Sequence, residues 1–133
     1  ANKVLTSQKR NIIKKFSKRN IMSEIQDIGY KSFDCLKKGD LRSFGLLLDK
    51  HYEIKRKISS DMTSKKLNEI YEYGKKNGSI GGKNIGAGGG GVFMFYVPNN
   101  AQVKFRKAMN EKKLLELNWS YEPKGVELFD FAS

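Results

Sequence analysis

Residues 81–97 read Gly81-Gly82-Lys83-Asn84-Ile85-Gly86-Ala87-Gly88-Gly89-Gly90-Gly91-Val92-Phe93-Met94-Phe95-Tyr96-Val97, and Pro98 closes the run. Seven of the first eleven residues are glycine, and the next six are apolar and β-prone. Glycine loses more backbone freedom on folding than any other residue, so a cluster points to positive φ or to close approach of the backbone to something else. Successive N–H groups with no side chains over them form a concavity suited to anions, phosphate first among them. Lys83 adds a point charge beside it. The competing reading is a flexible linker, but such linkers mix serine with glycine and join independent units. This run has no serine and lies between two apolar stretches. It reads as a structured ligand loop between two strands, Ile80 to Ile85 and Val92 to Val97. It is not a Walker A loop, because no Gly-Lys-Ser/Thr ends it. Nor is it a dinucleotide fingerprint, because a strand rather than a helix follows.

Upstream of the loop the pattern is helical. Leu5, Ile12, Ile13 and Phe16 recur among lysines from Asn2 to about Lys18. A second helix is expected from Ser23, with Gln26 completing a capping box, Ile25, Ile28, Phe33 and Leu36 as its buried stripe, and Gly39 as its stop. Asp40 is a good N-cap for a third helix carrying Leu41, Phe44, Leu48 and Tyr52. A fourth starts at Thr63 or Ser64, uses Leu67, Ile70, Tyr71 and Gly74, and ends at Asn77-Gly78. Downstream, residues 101–111 form a short helix capped by Asn99 or Asn100. Leu115, Leu117, Trp119 and Tyr121 then alternate with polar residues at a period of two. Pro123-Lys124-Gly125 turns the chain into Val126 to Phe131, which predicts a hairpin. The expectation is an α+β domain: a four-stranded antiparallel sheet covered on one face by helices.

Composition limits the function classes. The chain has 133 residues, 26 Lys plus Arg against 14 Asp plus Glu, and a net charge of +12. That length suits one domain. A single cysteine, Cys35, and a single histidine, His51, exclude a disulfide scaffold and an ordinary Cys/His zinc site. Cys35 reads as a small helical filler, and no metal site is expected. The apolar run at 92–97 is far short of the roughly 20 residues of a membrane span. The first 20 residues carry seven Lys or Arg and no apolar block, unlike a signal peptide. The expectation is a soluble, cytoplasmic domain without a membrane partner. It opens on Ala1, which suggests a piece of a longer protein. Residues 1–80 hold 19 basic and 9 acidic side chains, whereas 81–133 hold 7 and 5. Such a charge draws in phosphorylated ligands or nucleic acid. Lys outnumbers Arg 21 to 5, unlike the arginine usage of base-reading proteins, so nucleic acid is not the expected partner.

The stretch Gly81 to Val97 resembles the third conserved motif of the GHMP kinases (galacto-, homoserine, mevalonate and phosphomevalonate kinases). The similarity extends to Phe44-Gly45-Leu46-Leu47-Leu48, His51-Tyr52-Glu53-Ile54-Lys55, Ile58-Ser59, Ile70-Tyr71 and Asn77-Gly78. These resemble the branch of D-glycero-D-manno-heptose 7-phosphate kinases. Many GHMP members carry Ser or Thr just before the Gly-Ala-Gly-Gly-Gly-Gly run. Ile85 stands there in this chain, as the heptose branch tolerates, which argues against a galactokinase or mevalonate kinase.

The resemblance covers about residues 1–131 and implies a C-terminal domain of ferredoxin-like fold, helical over 1–78, with the loop at 81–91 and a sheet-rich part at 92–131. It further implies a two-domain enzyme that transfers the γ-phosphoryl group of ATP to a sugar hydroxyl with Mg²⁺. The phosphate loop, the catalytic residues and most of the ATP and Mg²⁺ contacts belong to an N-terminal domain absent from this chain, so the chain alone is expected to be inactive. Partners implied are the sugar phosphate, ATP and the N-terminal domain. Surface meant for that domain could pair two copies as a homodimer. Gly86, Ala87, Gly88, Gly89, Gly90, Gly91 and Lys83 would form the phosphate or substrate loop. His51 and Lys55, four apart and so on one helix face, would contact the sugar's phosphate. Alternatives are a fucokinase- or galactokinase-like enzyme, a non-catalytic binding module, or a basic nucleic-acid-binding domain. Replacing Gly88 or Gly89 with valine in a complete enzyme is expected to lower activity more than stability; an unchanged kcat/KM would count against a ligand role for the loop.

Overall fold

The computed structural model describes residues 2–58, 64–86 and 91–129, with side chains described from residue 19 onward. In chain order the elements are α1 (Asn2–Lys38), α2 (Leu41–Ile58), α3 (Lys65–Lys76), β1 (Gly81–Ile85), β2 (Val92–Tyr96), a 3₁₀ turn (Asn99–Ala101) and α4 (Gln102–Glu111). The fold class is α+β, as expected.

α1 runs through the point where two helices were expected. Ser23 therefore lies in mid-helix and caps nothing. Arg19-Asn20-Ile21-Met22 contains neither glycine nor proline, so no residue there favours leaving the helix over continuing it. The stripe expected at Leu5, Ile12, Ile13 and Phe16 lies outside the described side chains. Within the described part, Ile21, Ile25, Ile28, Ser32 and Cys35 form the half-buried or buried face, spaced four and three apart. Phe33 and Leu36, expected in that stripe, are instead 61% and 51% exposed, because they fall one position off this seam.

Gly39 stops the helix as expected, with φ +72°. Its N–H donates to Leu36 O at 3.2 Å and that of Asp40 to Cys35 O at 2.9 Å, the two bonds of a Schellman ending. Asp40 then caps α2, accepting from Ser43 N at 3.1 Å through its carboxylate. Hydrogen bonds from the Ser43 side chain and backbone hold that carboxyl below its usual range. Two residues thus fold α1 and α2 into an antiparallel pair. Ser64 caps α3, its hydroxyl accepting from Leu67 N at 3.1 Å. Asn77 and Gly78, at φ +114°, end it.

β1 and β2 form an antiparallel hairpin in the register Gly81↔Tyr96, Gly82↔Phe95, Lys83↔Met94, Asn84↔Phe93 and Ile85↔Val92. Phe93 and Phe95 on one face meet the helices. Tyr71 of α3 is fully buried and stacks on Tyr52 of α2 with ring centroids 3.7 Å apart. Its ring also lies 6.3 Å from Phe93 and 6.0 Å from Phe95, and Phe105 of α4 meets Phe95 edge-on at 5.3 Å. Lys83, Ile85, Val92 and Met94 on the other face are exposed. One face of the sheet is therefore covered by helices, as the sequence suggested.

The four-stranded sheet is corrected to two strands among the described residues. Residues 115–121 and 126–129 form no strand, and 130–131 lie outside the description. The turn itself is present, with Gly125 at φ +65° and Lys124 N donating to Glu122 Oε1 at 2.9 Å. What is absent is a neighbour: period-two alternation gives a segment an apolar face but no partner for its backbone N–H and C=O groups. Trp119 and Val126 remain 84% and 94% exposed. The asparagine cap expected for the last helix is also corrected. Neither the 3₁₀ turn nor α4 has a side-chain cap bond, and Asn99 accepts instead from Gln102 Nε2 at 3.2 Å.

The close approach of β1 to α2 requires glycine at one position. A Cβ on Gly81 would run into the carbonyl oxygen of Gly45 and stand 2.8 Å from Asp49 N, both backbone atoms that cannot rotate away. Gly81→Ala is expected to destabilise the chain by about 1–3 kcal/mol. Gly29→Ala, in mid-α1 with open space around it, should stabilise by about 0.5–1 kcal/mol. Urea denaturation of both variants checks the pair.

Candidate functional site

Two ends of the β1–α2 contact carry opposite kinds of polar chemistry. At the Gly81 end the charges are neutralised within the fold. The Tyr71 hydroxyl donates to Asp49 Oδ1 at 2.6 Å, and Lys75 Nζ lies 2.9 Å from the same oxygen. Gly82 N–H donates to the Tyr71 oxygen. Burial above all, reinforced by Asp49, pushes the Tyr71 hydroxyl far above the usual phenol range, so it remains a donor at any working pH. Nearby, Arg56 bonds Glu53 at 3.2 Å, Glu72 at 2.8 Å and Asn68 at 3.2 Å, while Tyr52 donates to Asn68 at 2.8 Å. These groups hold α2 to α3.

Further along β1 the charges are not neutralised. His51 and Lys55 sit one turn apart on α2, both half-buried, and Lys83 projects from the exposed face of β1. Burial, then the charges of Lys55 and Lys83, hold the His51 imidazole below its ordinary value. Burial, then Lys83, likewise lowers Lys55. Of the expected contact residues, His51 and Lys55 share one face of α2, and Lys83 comes from β1. Among the described residues, none of the three has an ion-pair partner. The carboxylates around α2 are engaged elsewhere: Asp49 with Lys75, Glu53 with Arg56, and Glu24 of α1 with Lys50 at 3.9 Å. Lys55, one turn from a half-buried histidine on α2, can meet an anion and supply a charge-assisted hydrogen bond.

The glycine loop joins the paired residues Ile85 and Val92, so it is a hairpin connection and not a linker between independent units. Gly86 and Gly91 frame it at φ +139° and +113°, and a Cβ on Gly91 would strike the carbonyl of Ile85. Both positions therefore need glycine on conformational grounds. Ala87, Gly88, Gly89 and Gly90 lie outside the described residues. Lys83 stands three residues before Gly86, about 10 Å along the strand, which puts this lysine near the root of the loop. One polar group here was not among the sequence candidates. Asn84 points to the helix-covered face opposite Phe93, and its Oδ1 is buried with no hydrogen-bond partner among the described residues. Its signal was the strand alternation, which put a polar residue on the inner face beside Gly82.

His51, Lys55 and Lys83 do not fit Mg²⁺. Among the described residues no three His, Cys, Asp or Glu side chains gather as a metal site, and the site's own groups are cationic or neutral. Residues 32–114, more than half of the chain, match the family described as GHMP kinases C terminal. The chain belongs to the GHMP kinases, as a C-terminal domain. A D-glycero-alpha-D-manno-heptose 7-phosphate kinase of Campylobacter jejuni is 27% identical over 106 residues, 80% of this chain and 31% of that relative. The chain thus spans less than a third of the length of the curated relative it matches. Within the GHMP domain, no described helix is long and apolar enough to cross a membrane.

Because His51 holds its proton less tightly in the folded domain, the unfolded chain binds more protons as pH falls below about 6.5, and stability declines in that window. The urea midpoint is expected to fall between about pH 7.5 and about pH 5.5. His51→Gln should flatten this decline; an equally steep fall in the variant would assign it to other groups.

Proposed function

We propose that this GHMP domain is the C-terminal part of an ATP-dependent sugar-phosphate kinase and that its acceptor is D-glycero-D-manno-heptose 7-phosphate. The observation that carries this reading is the 27% identity to the Campylobacter heptose 7-phosphate kinase over 80% of this chain. Lys83 on the strand that leads into the glycine hairpin, and Lys55 with His51 on α2, are the cationic groups this reading assigns to a phosphorylated sugar. The similarity to the Campylobacter kinase supports the same substrate class. It thereby favours a phosphorylated acceptor over the galactose- or fucose-type alternatives.

Phosphoryl transfer relies mainly on positioning and on stabilising charge. In this reading Lys55 and Lys83 hold the phosphate the sugar already carries, which anchors it at the end remote from the reacting hydroxyl. The amides of Gly86 to Gly91 close around the acceptor or the transferred group, donating N–H bonds where negative charge is held. ATP and Mg²⁺ supply the phosphoryl group and the charge neutralisation, and their binding is assigned to an N-terminal domain. The chain alone would then hold substrate without turning it over.

The test is a chimera in which this chain replaces the matched third of the Campylobacter kinase. It is expected to phosphorylate D-glycero-D-manno-heptose 7-phosphate with ATP. Lys55→Met and Lys83→Met should each raise KM about tenfold, the worth of one charge-assisted hydrogen bond. A folded chimera that accepts free galactose or fucose but not the heptose phosphate would replace this reading with the other kinase class.

A further inference from the structure

α1 carries two apolar stripes, and the fold uses one of them. Ile21, Ile28 and Cys35, with Ile25 and Ser32 beside them, turn toward α2, which among the described elements is the one packed along α1. About a third of a turn round the helix, Met22, Gln26, Gly29, Phe33 and Leu36 alternate four and three apart, the spacing of a coiled-coil seam. Met22, Phe33 and Leu36 are 64%, 61% and 51% exposed, and Tyr30 at the border is 67% exposed. The charged residues between Asn20 and Leu36 are Glu24, Asp27, Lys31 and Asp34, and all of them fall on the remaining side of the helix. We propose that a second copy of this chain docks on the seam, with the two α1 helices antiparallel about a two-fold axis between Gln26 and Gly29.

A two-fold interface must be complementary to itself, and this seam is so in both shape and charge. Arg19, Met22, Ser23 and Gln26 stand at i, i+3, i+4 and i+7 and, with Ile25, line an open groove on α1. Four residues so spaced make the hole that takes a knob from a facing helix. With the axis between Gln26 and Gly29, the knob at that level is Phe33 of the second copy. It meets Met22, whose sulfur suits an aromatic ring. Gly29, with nothing within 4 Å of where a Cβ would stand, comes opposite Gln26 and leaves room for the longer side chain. The ion pairs of α1 among the described residues are Asp27 with Lys31 and Glu24 with Lys50, which leaves Arg19 and Asp34 without one. Those two lie 15 residues apart, about 22 Å along the helix, too far to reach each other within one chain. The two-fold brings Arg19 of each copy opposite Asp34 of the other, whereas a parallel pair would set Arg19 against Arg19. The area is adequate as well. At about 200 Å² for each whole side chain, Met22, Tyr30, Phe33 and Leu36 leave about 500 Å² uncovered per copy. Two copies thus offer about 1,000 Å², the threshold of a specific interface.

The pairing stands or falls independently of what the glycine hairpin binds. Sedimentation equilibrium of the 133-residue chain tests it. An interface at the small end of the size range holds in the micromolar range, so a dimer is expected at about 200 µM chain and a monomer at about 1 µM. Phe33→Glu sets a charge in the groove and should raise the dissociation constant at least about tenfold. Its position is exposed, so circular dichroism should show an unchanged fold. Arg19→Glu and Asp34→Arg should each weaken the dimer by about threefold to tenfold, and the double variant, which exchanges the two charges, should restore it. A chain that stays monomeric at about 200 µM overturns the proposal and leaves the seam to an unlike protein. A dimer unaffected by Phe33→Glu also overturns it, because the contact then lies elsewhere on the chain. A dimer that Phe33→Glu disrupts but that the exchanged charges fail to restore overturns the antiparallel arrangement.

Discussion

Tyr71 joins the parts of this domain. Its ring is buried between Tyr52 and the pair Phe93 and Phe95, so one side chain of α3 touches both α2 and the sheet. Its hydroxyl meets Asp49 and the Gly82 amide at once. Aromatic burial supplies the non-directional part of that contact and the hydroxyl supplies direction, since a buried phenol must find a partner. Two glycines permit it. Gly81 lets β1 come down onto the backbone of α2, and Gly82 exposes an amide to the tyrosine oxygen. The position of Lys83 follows from that approach: the strand that Tyr71 holds against α2 carries the lysine one residue further on.

The charge of the chain is organised by the same contact. Around Tyr71, Asp49 of α2 pairs with Lys75 of α3 and Glu72 of α3 with Arg56 of α2, and those interactions join helix to helix. A net charge of +12 therefore includes two different populations, one engaged between helices and one solvated over their faces. The first matters more to the fold, because partial burial reduces screening and strengthens each interaction.

Local signals were legible where the deciding chemistry is local. Gly39, Asp40, Ser64 and Gly78 each act within one turn of the chain, and each does what its residue type suggests. The hairpin around the glycine run was legible for the same reason, as was the helical face that pairs His51 with Lys55. Where the reading failed, the deciding partner was distant. Leu115 to Tyr121 has the right alternation, but no described edge pairs with it. Phe33 and Leu36 fit a helix yet lie just off the seam that α2 covers. The approach of β1 to α2 was not legible, because it depends on Gly81 meeting Gly45, 36 residues away in sequence. For Asn84, strand alternation marks the inner face, but nothing local shows that its oxygen lacks a partner there among the described residues.

The way the hairpin closes has a consequence for how such a domain can diversify. Ile85 and Val92 are paired, and positive-φ glycines stand immediately beyond each. The strands are thereby sealed off from whatever the intervening residues do. Loop closure grows slowly with length, about 0.6 kcal/mol for each doubling. Insertions or substitutions between Gly86 and Gly91 can therefore redraw the surface offered to a ligand while Phe93, Phe95 and the aromatic core keep their register. On the proposed reading of the loop, recognition and folding then lie on separate sides of one residue pair, which leaves substrate preference free to drift without the domain losing its shape.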